Sequence, residues 1–166
     1  MSAWPDGIEA KAGLLISAFS KRGLMVATAE SCTGGLIAGV LTEIPGSSSV
    51  VDRGFVTYSN DAKIQMLGVA NATLETHGAV SRQTAIEMVR GALSHSKADL
   101  AVAVTGVAGP GGGSAEKPVG LVHLAAASRG GNILHREMRY GDIGRDAVRM
   151  ATVRTALDML DEAAER

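Results

Sequence analysis

Two nucleophilic side chains stand side by side early in the chain, at Ser31 and Cys32. They follow the short apolar run Leu24–Ala29 and precede a pair of glycines and a second apolar run. This order predicts a buried strand, a tight turn and a helix, with both side chains just before the helix N-terminus. Backbone N–H groups there, from Thr33 to Gly35, are suited to hold an anion or a developing oxyanion. A serine nucleophile in this position is therefore a sound hypothesis, and a cysteine nucleophile is a second one.

Each of these residues also has a purely structural interpretation. Ser31 or Thr33 would serve as the N-cap of the helix, a position that favours both residue types. Cys32 would be a small buried apolar side chain. Glu30 would either orient Ser31 or Lys63 electrostatically or stabilise the positive end of the helix dipole. The residues alone leave these alternatives open.

Lys63 is the candidate general base, and it follows Tyr58 by five residues near the end of a second predicted strand. A lysine accepts a proton only where burial or positive neighbours lower its pKa. The alternatives are a solvated lysine at the start of a helix and a tyrosine that only packs. The Tyr-x-x-x-Lys spacing of some dehydrogenases is missed by one residue.

A second glycine cluster, Thr105 to Ser114, directly follows the apolar run Leu100–Val104. Successive N–H groups in such a loop can wrap a phosphate. The loop lacks both the Gly-Lys-Ser/Thr ending and the G-x-G-x-x-G pattern, so a nucleoside triphosphate or a dinucleotide is unsupported. The alternative is an ordinary surface connection. The candidate binding residues in it are Thr105, Gly106, Gly109, Gly111 and Gly112.

Two further sets of residues bear on ligands. Arg145 and Arg149, four residues apart on the last predicted helix, form either an anion clamp or a solvated face. Four histidines show no spacing typical of metal ligands; they are His77, His95, His123 and His135. We therefore expect neither a metal nor another cofactor.

The elements that must position these residues alternate between helix and strand. Because such alternation implies parallel strands, and because a short connection over 128–131 forces its two strands into a hairpin, the sequence predicts an α/β fold. The predicted architecture is a three-layer α/β/α sandwich whose mixed, mostly parallel sheet includes one antiparallel hairpin. Both glycine clusters fall at carboxyl ends of strands, where ligands bind in such folds. The predicted elements are helix 7–22, strand 24–29, helix 36–41, strand 50–58, helix 62–67 capped by Asn60 or Asp61, a helix capped by Ser81, strands 100–104, 119–127 and 132–140, and helix 145–165.

Composition excludes several classes of function. With 166 residues, 16 basic and 17 acidic side chains, the chain carries a formal charge of −1. Duplex binding relies on clustered positive charge, so we expect no nucleic-acid partner. No apolar run approaches the roughly 20 residues of a spanning helix, so we expect no membrane partner. Cys32 is the single cysteine, which leaves no intrachain disulfide and predicts a cytoplasmic protein.

Four motifs occur in a characteristic order: Ala29–Gly35, Gly54–Lys63, His77–Ser81 and Thr105–Gly112. Together they strongly resemble the CinA C-terminal domain family. The resemblance extends over about residues 8 to 163, nearly the whole chain. Larger relatives carry an additional N-terminal nucleotide-pyrophosphatase domain, so we expect a stand-alone, single-domain form spanning residues 1–166.

The resemblance implies nicotinamide-nucleotide amidohydrolase activity, in which nicotinamide mononucleotide and water give nicotinate mononucleotide and ammonia, without a metal. It implies that Ser31 is the nucleophile, Lys63 the base and Tyr58 a hydroxyl that assists proton transfer. Backbone N–H groups from Cys32 to Gly35 would hold the oxyanion, and the second glycine cluster would hold the substrate phosphate. The family's Gly-Asp-Arg sequence is interrupted here, because two residues separate Asp142 from Arg145.

Two alternatives accompany this assignment. One is a non-catalytic module that binds nucleotides or proteins and is linked to competence or DNA damage; the presence of Ser31, Tyr58 and Lys63 speaks against it. The other retains the enzyme but makes Cys32 the nucleophile. We also expect a homo-oligomer, since symmetric assemblies are common.

Overall fold

The computed structural model describes residues 2–166. Within that part of the chain, no helix is long and apolar enough to cross a membrane. The structure contains six α-helices and five β-strands. In chain order they are α1 (Ile8–Arg22), β1 (Val26–Glu30), α2 (Leu36–Glu43), β2 (Val51–Val56), α3 (Asn60–Leu67), α4 (Asn71–His77), α5 (Arg82–Ser94), β3 (Leu100–Gly106), β4 (Leu121–Ser128), β5 (Ile133–Arg139) and α6 (Arg145–Ala164), with a 3-10 turn at Ser47–Ser49 between α2 and β2.

The five strands form one sheet in the order β2-β1-β3-β4-β5. Strand β1 pairs in parallel with both β2 and β3. Strand β4 is antiparallel to both β3 and β5, so it alone runs against the other four. The predicted mixed, mostly parallel sheet with one antiparallel hairpin is confirmed.

Helices cover both faces of the sheet, and strand β3 shows how its residues divide between them. Leu100, Val102 and Val104 join the core that includes α1, α2 and α6. The intervening Ala101 and Ala103 belong to the second core, beneath α3, α4 and α5. Because side chains alternate along a strand, one buried sequence supplies both cores. The three-layer architecture follows from this two-sided burial, as predicted.

Two local features differ from the sequence-based expectations. The side chain of Ser59 caps α3 by accepting from the Ala62 N–H at 3.0 Å, whereas Asn60 and Asp61 lie inside the helix. Helix α4 was not predicted, because its N-cap is Ala70 and no side chain of its own caps it. Instead Glu87 of α5 accepts from the Ala70 N–H at 2.8 Å, a tertiary contact that local sequence does not reveal.

Helix α1 provides a matched pair for testing which face carries the core. Leu15 is 4% exposed and its neighbour Leu14 is 75% exposed. We expect Leu15→Ala to lower the free energy of unfolding by about 2–5 kcal/mol, because it leaves a cavity. Leu14→Ala changes it by less than about 0.5 kcal/mol. Urea denaturation measures both values; equal losses in the two variants would contradict the assigned orientation of α1.

Candidate active site

A cavity of about 290 Å³ opens where β1, β2 and β3 end. It brings together ten of the fourteen predicted site residues and leaves out Glu30, Thr33, Gly34 and Gly35. Sequence reasoning missed five of its residues as site members: Asn60, Ala79, Val80, Val107 and Ala108. The available signal was membership of the family motifs, because Ala79 and Val80 lie in His77–Ser81, Asn60 in Gly54–Lys63, and Val107 and Ala108 in Thr105–Gly112. The full lining is Ser31, Cys32, Tyr58, Asn60, Lys63, Ala79, Val80, Thr105, Gly106, Val107, Ala108, Gly109, Gly111, Gly112 and Arg145.

Ser31 and Lys63 meet at this cavity. The Nζ atom of Lys63 lies 3.0 Å from the Oγ atom of Ser31, although the residues are 32 positions apart. The same Nζ lies 2.8 Å from the carbonyl oxygen of Thr57 and 3.5 Å from that of Tyr58. A neutral amine has two N–H groups and one lone pair, so it can donate to the two carbonyls and accept the serine proton.

The environment of Lys63 favours that neutral form. The side chain is 1% exposed, and burial lowers its pKa below the ordinary value of 10.5. Within residues 2–166 no carboxylate opposes this effect on the pKa; a weaker influence in the opposite direction comes from Cys32. A lysine that loses its proton more readily is suited to act as a general base. The alternative of a solvated lysine at a helix start is therefore wrong, because α3 directs this side chain inward.

The segment between β1 and α2 has the expected order of strand, turn and helix, and α2 begins at Leu36 as predicted, but its cap differs from the expected one. The N-cap is Gly35, with φ of +103° and no side-chain capping bond. Ser31 is instead fixed to the sheet, because its N–H donates to the Val104 carbonyl at 3.0 Å. The interpretation of Ser31 or Thr33 as the helix cap is wrong.

Glu30 performs that capping function. Its carboxylate is fully buried and accepts from the N–H groups of Ile37 at 2.8 Å and Ala38 at 3.0 Å. It also accepts from the Thr33 hydroxyl at 2.6 Å. A carboxylate stabilises the positive end of a helix through these bonds. Of the two alternatives for Glu30, the structure supports the dipole interpretation, and it places this carboxylate outside the cavity lining.

The turn after Ser31 offers backbone donors. The Gly34 N–H is engaged, because it donates to the Ser31 carbonyl at 3.1 Å. Among residues 2–166 the N–H groups of Cys32, Thr33 and Gly35 form no hydrogen bond with another residue. Donors left unpaired next to a nucleophile are what an oxyanion requires.

Two of the three arginines of α6, Arg145 and Arg149, contact the loops around the cavity. Arg145 donates to the Gly109 carbonyl at 2.8 Å and to the Tyr58 hydroxyl at 3.2 Å. Arg149 donates to the carbonyls of Cys32 at 3.0 Å and Thr33 at 3.3 Å. Both side chains thus have specific partners, and a merely solvated face is excluded. Tyr58 is 63% exposed at the cavity rim, so it is not a packing residue.

The second glycine cluster is tied into the cavity wall. The buried Thr105 hydroxyl donates to the Ala79 carbonyl at 2.8 Å, which joins β3 to the turn before α5. Gly109 has φ of +82°, and a Cβ there would lie 2.6 Å from Cγ1 of Val119. Only glycine fits this close approach. The loop is therefore a constrained wall of the site and not a free surface connection.

Cys32 lines the cavity but is poorly suited to be the nucleophile. It is 6% exposed, and burial raises the pKa of its thiol to about 12. The thiolate is the reactive form, so a thiol held protonated is a weak nucleophile. This geometry favours the core-filling interpretation of Cys32.

Residues 2–166 contain no group of three or more His, Cys, Asp and Glu side chains placed to hold a metal ion.

The fold and site define an α/β protein with a buried serine–lysine pair at the carboxyl ends of its parallel strands. The CinA C-terminal domain pattern matches residues 8–164, and the chain belongs to that family. It is 55% identical over 144 residues to the "Nicotinamide-nucleotide amidohydrolase PncC" of Escherichia coli K12, covering 86% of each chain.

Two other relatives are named as competence/damage-inducible proteins and not after an enzymatic activity. The crystal structure of the "competence/damage inducible protein CihA" from Agrobacterium tumefaciens superposes with a TM-score of 0.97 at 69% identity, covering 99% of each chain. A "putative competence-damage inducible protein" of Caldicellulosiruptor bescii is 50% identical over 148 residues, which are 89% of this chain and 35% of that protein. The Agrobacterium protein therefore shares the fold described above.

The raised pKa of Cys32 can be tested directly, because it is the only cysteine. At pH 8 we expect iodoacetamide to alkylate the folded protein on the order of 10³-fold more slowly than the urea-unfolded chain, because burial suppresses the thiolate. Mass spectrometry over time measures both rates. Similar rates in the two states would contradict the assigned environment.

Proposed function

We propose that this protein hydrolyses the carboxamide of nicotinamide mononucleotide to give nicotinate mononucleotide and ammonia. The observation that carries the proposal is the contact of 3.0 Å between Lys63 Nζ and Ser31 Oγ inside a cavity walled by a glycine-rich loop. The name of the E. coli relative supplies the substrate class.

The reaction begins with the transfer of the Ser31 proton to the neutral Lys63 amine, while Ser31 Oγ forms a bond to the carboxamide carbon. Negative charge develops on the carboxamide oxygen. The proposed donors that stabilise it are the N–H group of Cys32, which lines the cavity, and those of Thr33 and Gly35 in the same turn. Lys63 then returns the proton to the nitrogen, the C–N bond breaks and ammonia leaves.

The remaining nicotinoyl ester on Ser31 is hydrolysed in the second half. Lys63 takes a proton from water, whose oxygen attacks the ester carbon, and the proton returns to Ser31 as the acid departs. Tyr58, at the rim and bonded to Arg145, is the proposed assistant in proton transfer. All bonds and protons balance without another reactant.

The phosphate of the substrate is assigned to the opposite wall of the cavity. Thr105, Gly106, Gly109, Gly111 and Gly112 present backbone groups there, and Arg145 adds positive charge at the rim. Backbone N–H groups in a tight loop bind phosphate oxygens well.

The proposal also covers the domain organisation, the cellular location and the assembly of the protein. The protein acts as one domain over residues 1–166, as a cytoplasmic homo-oligomer on a small-molecule nucleotide. The alternative, a non-catalytic module linked to competence or DNA damage, finds its support in the names of relatives alone.

Ammonia release from nicotinamide mononucleotide in EDTA tests the activity and the nucleophile together. The intact protein should be active, and Ser31→Ala should lower turnover at least about 10³-fold, because no other group can form the ester. Cys32→Ala is the matched control and should stay within about tenfold of the intact rate. Lack of activity in the folded intact protein would support the binding module; loss in Cys32→Ala with retention in Ser31→Ala would make the thiol the nucleophile.

The pH dependence of kcat/KM tests the base. Because Lys63 must be neutral to accept the serine proton, the rate should rise with pH through the pKa of Lys63 and level off above it. Burial places this midpoint below 10.5. Lys63→Arg keeps a long cationic side chain that does not deprotonate, so it should be inactive at every pH. A flat profile, or activity in Lys63→Arg, would refute the assignment.

A further inference from the structure

Helix α6 reaches both loops of the candidate site with side chains one turn apart. Arg145 contacts the glycine-rich loop and the rim, as described above, and it belongs to the proposed binding machinery. Arg149 does not line the cavity. Its guanidinium instead contacts the turn that follows Ser31, so any effect of Arg149 on the reaction is exerted through that turn.

The contacts of Arg149 are directed at two consecutive peptide groups. Its Nε donates to the Cys32 carbonyl at 3.0 Å and its Nη2 to the Thr33 carbonyl at 3.3 Å. In a trans peptide the N–H points opposite to the carbonyl. Holding the Cys32 carbonyl therefore directs the Thr33 N–H away from Arg149, and this N–H is one of those without a protein acceptor in the described residues.

The turn is held from a second direction by Glu30, whose carboxylate accepts from the Thr33 hydroxyl at 2.6 Å. Two oppositely charged side chains thus hold Thr33: Glu30 accepts from its hydroxyl, and Arg149 donates to its carbonyl. Arg149 forms no salt bridge with an acidic side chain in residues 2–166. Its positive charge consequently acts on this turn, and it favours negative charge at the adjacent Cys32.

The turn also has little freedom to compensate for a lost contact. Gly34 has φ of +57°, and a Cβ there would lie 3.3 Å from Nη2 of Arg149, so the backbone passes close beneath the guanidinium. The turn has two hydrogen bonds of its own, from the Gly34 N–H to the Ser31 carbonyl at 3.1 Å and from the Leu36 N–H to the Thr33 carbonyl at 3.0 Å. Neither involves the peptide group between Cys32 and Thr33, so an external group must fix the direction of that peptide.

We propose that Arg149 is a positioning residue that aims the Cys32–Thr33 backbone at the oxyanion formed on the substrate. This inference rests on the proposed amidohydrolase function. It assigns to Arg149 no contact with substrate, only the orientation of the donors that make one.

The test compares Arg149→Gln, Arg149→Lys and Arg154→Gln with the intact protein. Arg154 is a matched control, because it lies on the same helix and donates to a backbone carbonyl, that of Asp6, at 3.2 Å. Since oxyanion donors act in the transition state, Arg149→Gln should lower kcat on the order of 10²-fold with KM within about threefold. Arg149→Lys should recover only part of the loss in kcat. The ammonium keeps the positive charge, but it lacks the planar fork that spans two carbonyls. Arg154→Gln should leave kcat within about twofold.

Hydrogen exchange supplies a readout that does not depend on activity. In Arg149→Gln, peptides covering residues 31–41 should exchange faster, while peptides from β4 and β5 should be unchanged. If the intact protein releases no ammonia, the proposed function fails, and the exchange arm still decides whether Arg149 holds the turn.

The inference is overturned by a rise in KM at constant kcat, by a kcat loss no larger than that of Arg154→Gln, or by unchanged exchange over residues 31–41. If Arg149→Gln does not fold, the same criteria apply to Arg149→Lys. A kcat of Arg149→Lys equal to that of the intact protein would then contradict the inference.

Discussion

The candidate site depends on one energetic constraint, the burial of the Lys63 amine. A lysine that is 1% exposed has lost most of its hydration, and in the described residues no carboxylate forms an ion pair with it to offset that loss. The cost is reduced if the amine is neutral, which is also the form that can take a proton from Ser31. The carbonyls of Thr57 and Tyr58 keep its hydrogens occupied, so the lone pair is directed toward the serine. The burial of Lys63 and its proposed role as a base thus both favour a neutral amine.

The surrounding architecture positions that pair with groups that do not react. The parallel strands β1 and β3 hold Ser31 through the Val104 carbonyl, and the Ser59 cap sets the first turn of α3, from which Lys63 points inward. Charged side chains fix the connecting turn. Glu30 secures the start of α2, and the arginines of α6 secure the two loops across the cavity. In each case a full charge binds backbone groups in partly buried surroundings, where such hydrogen bonds are stronger than neutral ones.

The sequence was informative where local pattern and burial agree. The apolar run at 100–104 indicated a strand buried on both faces, and the short connection at 128–131 indicated a hairpin; both are present. Sequence reasoning failed where a distant residue replaced a local signal. Helix α4 is capped through Glu87 from another helix. At α2 the local caps Ser31 and Thr33 were wrong, whereas the alternative that Glu30 stabilises the start of this helix agrees with the structure. Cap preferences describe neighbours in the chain, so they cannot report a donor or acceptor brought in by the fold.

The sequence by itself determined the α/β class, the order of the elements apart from α4, the family and the types of residue available for chemistry. These follow from periodicity and from motifs that are local in the chain. Only the tertiary structure decided that Lys63 and Ser31 are in contact, that Cys32 is protonated and buried, and that Arg145 and Arg149 bind loop carbonyls rather than solvent. The reason is physical: a pKa and a hydrogen-bond partner depend on which atoms exclude water around a group, and those atoms come from segments far apart in the sequence.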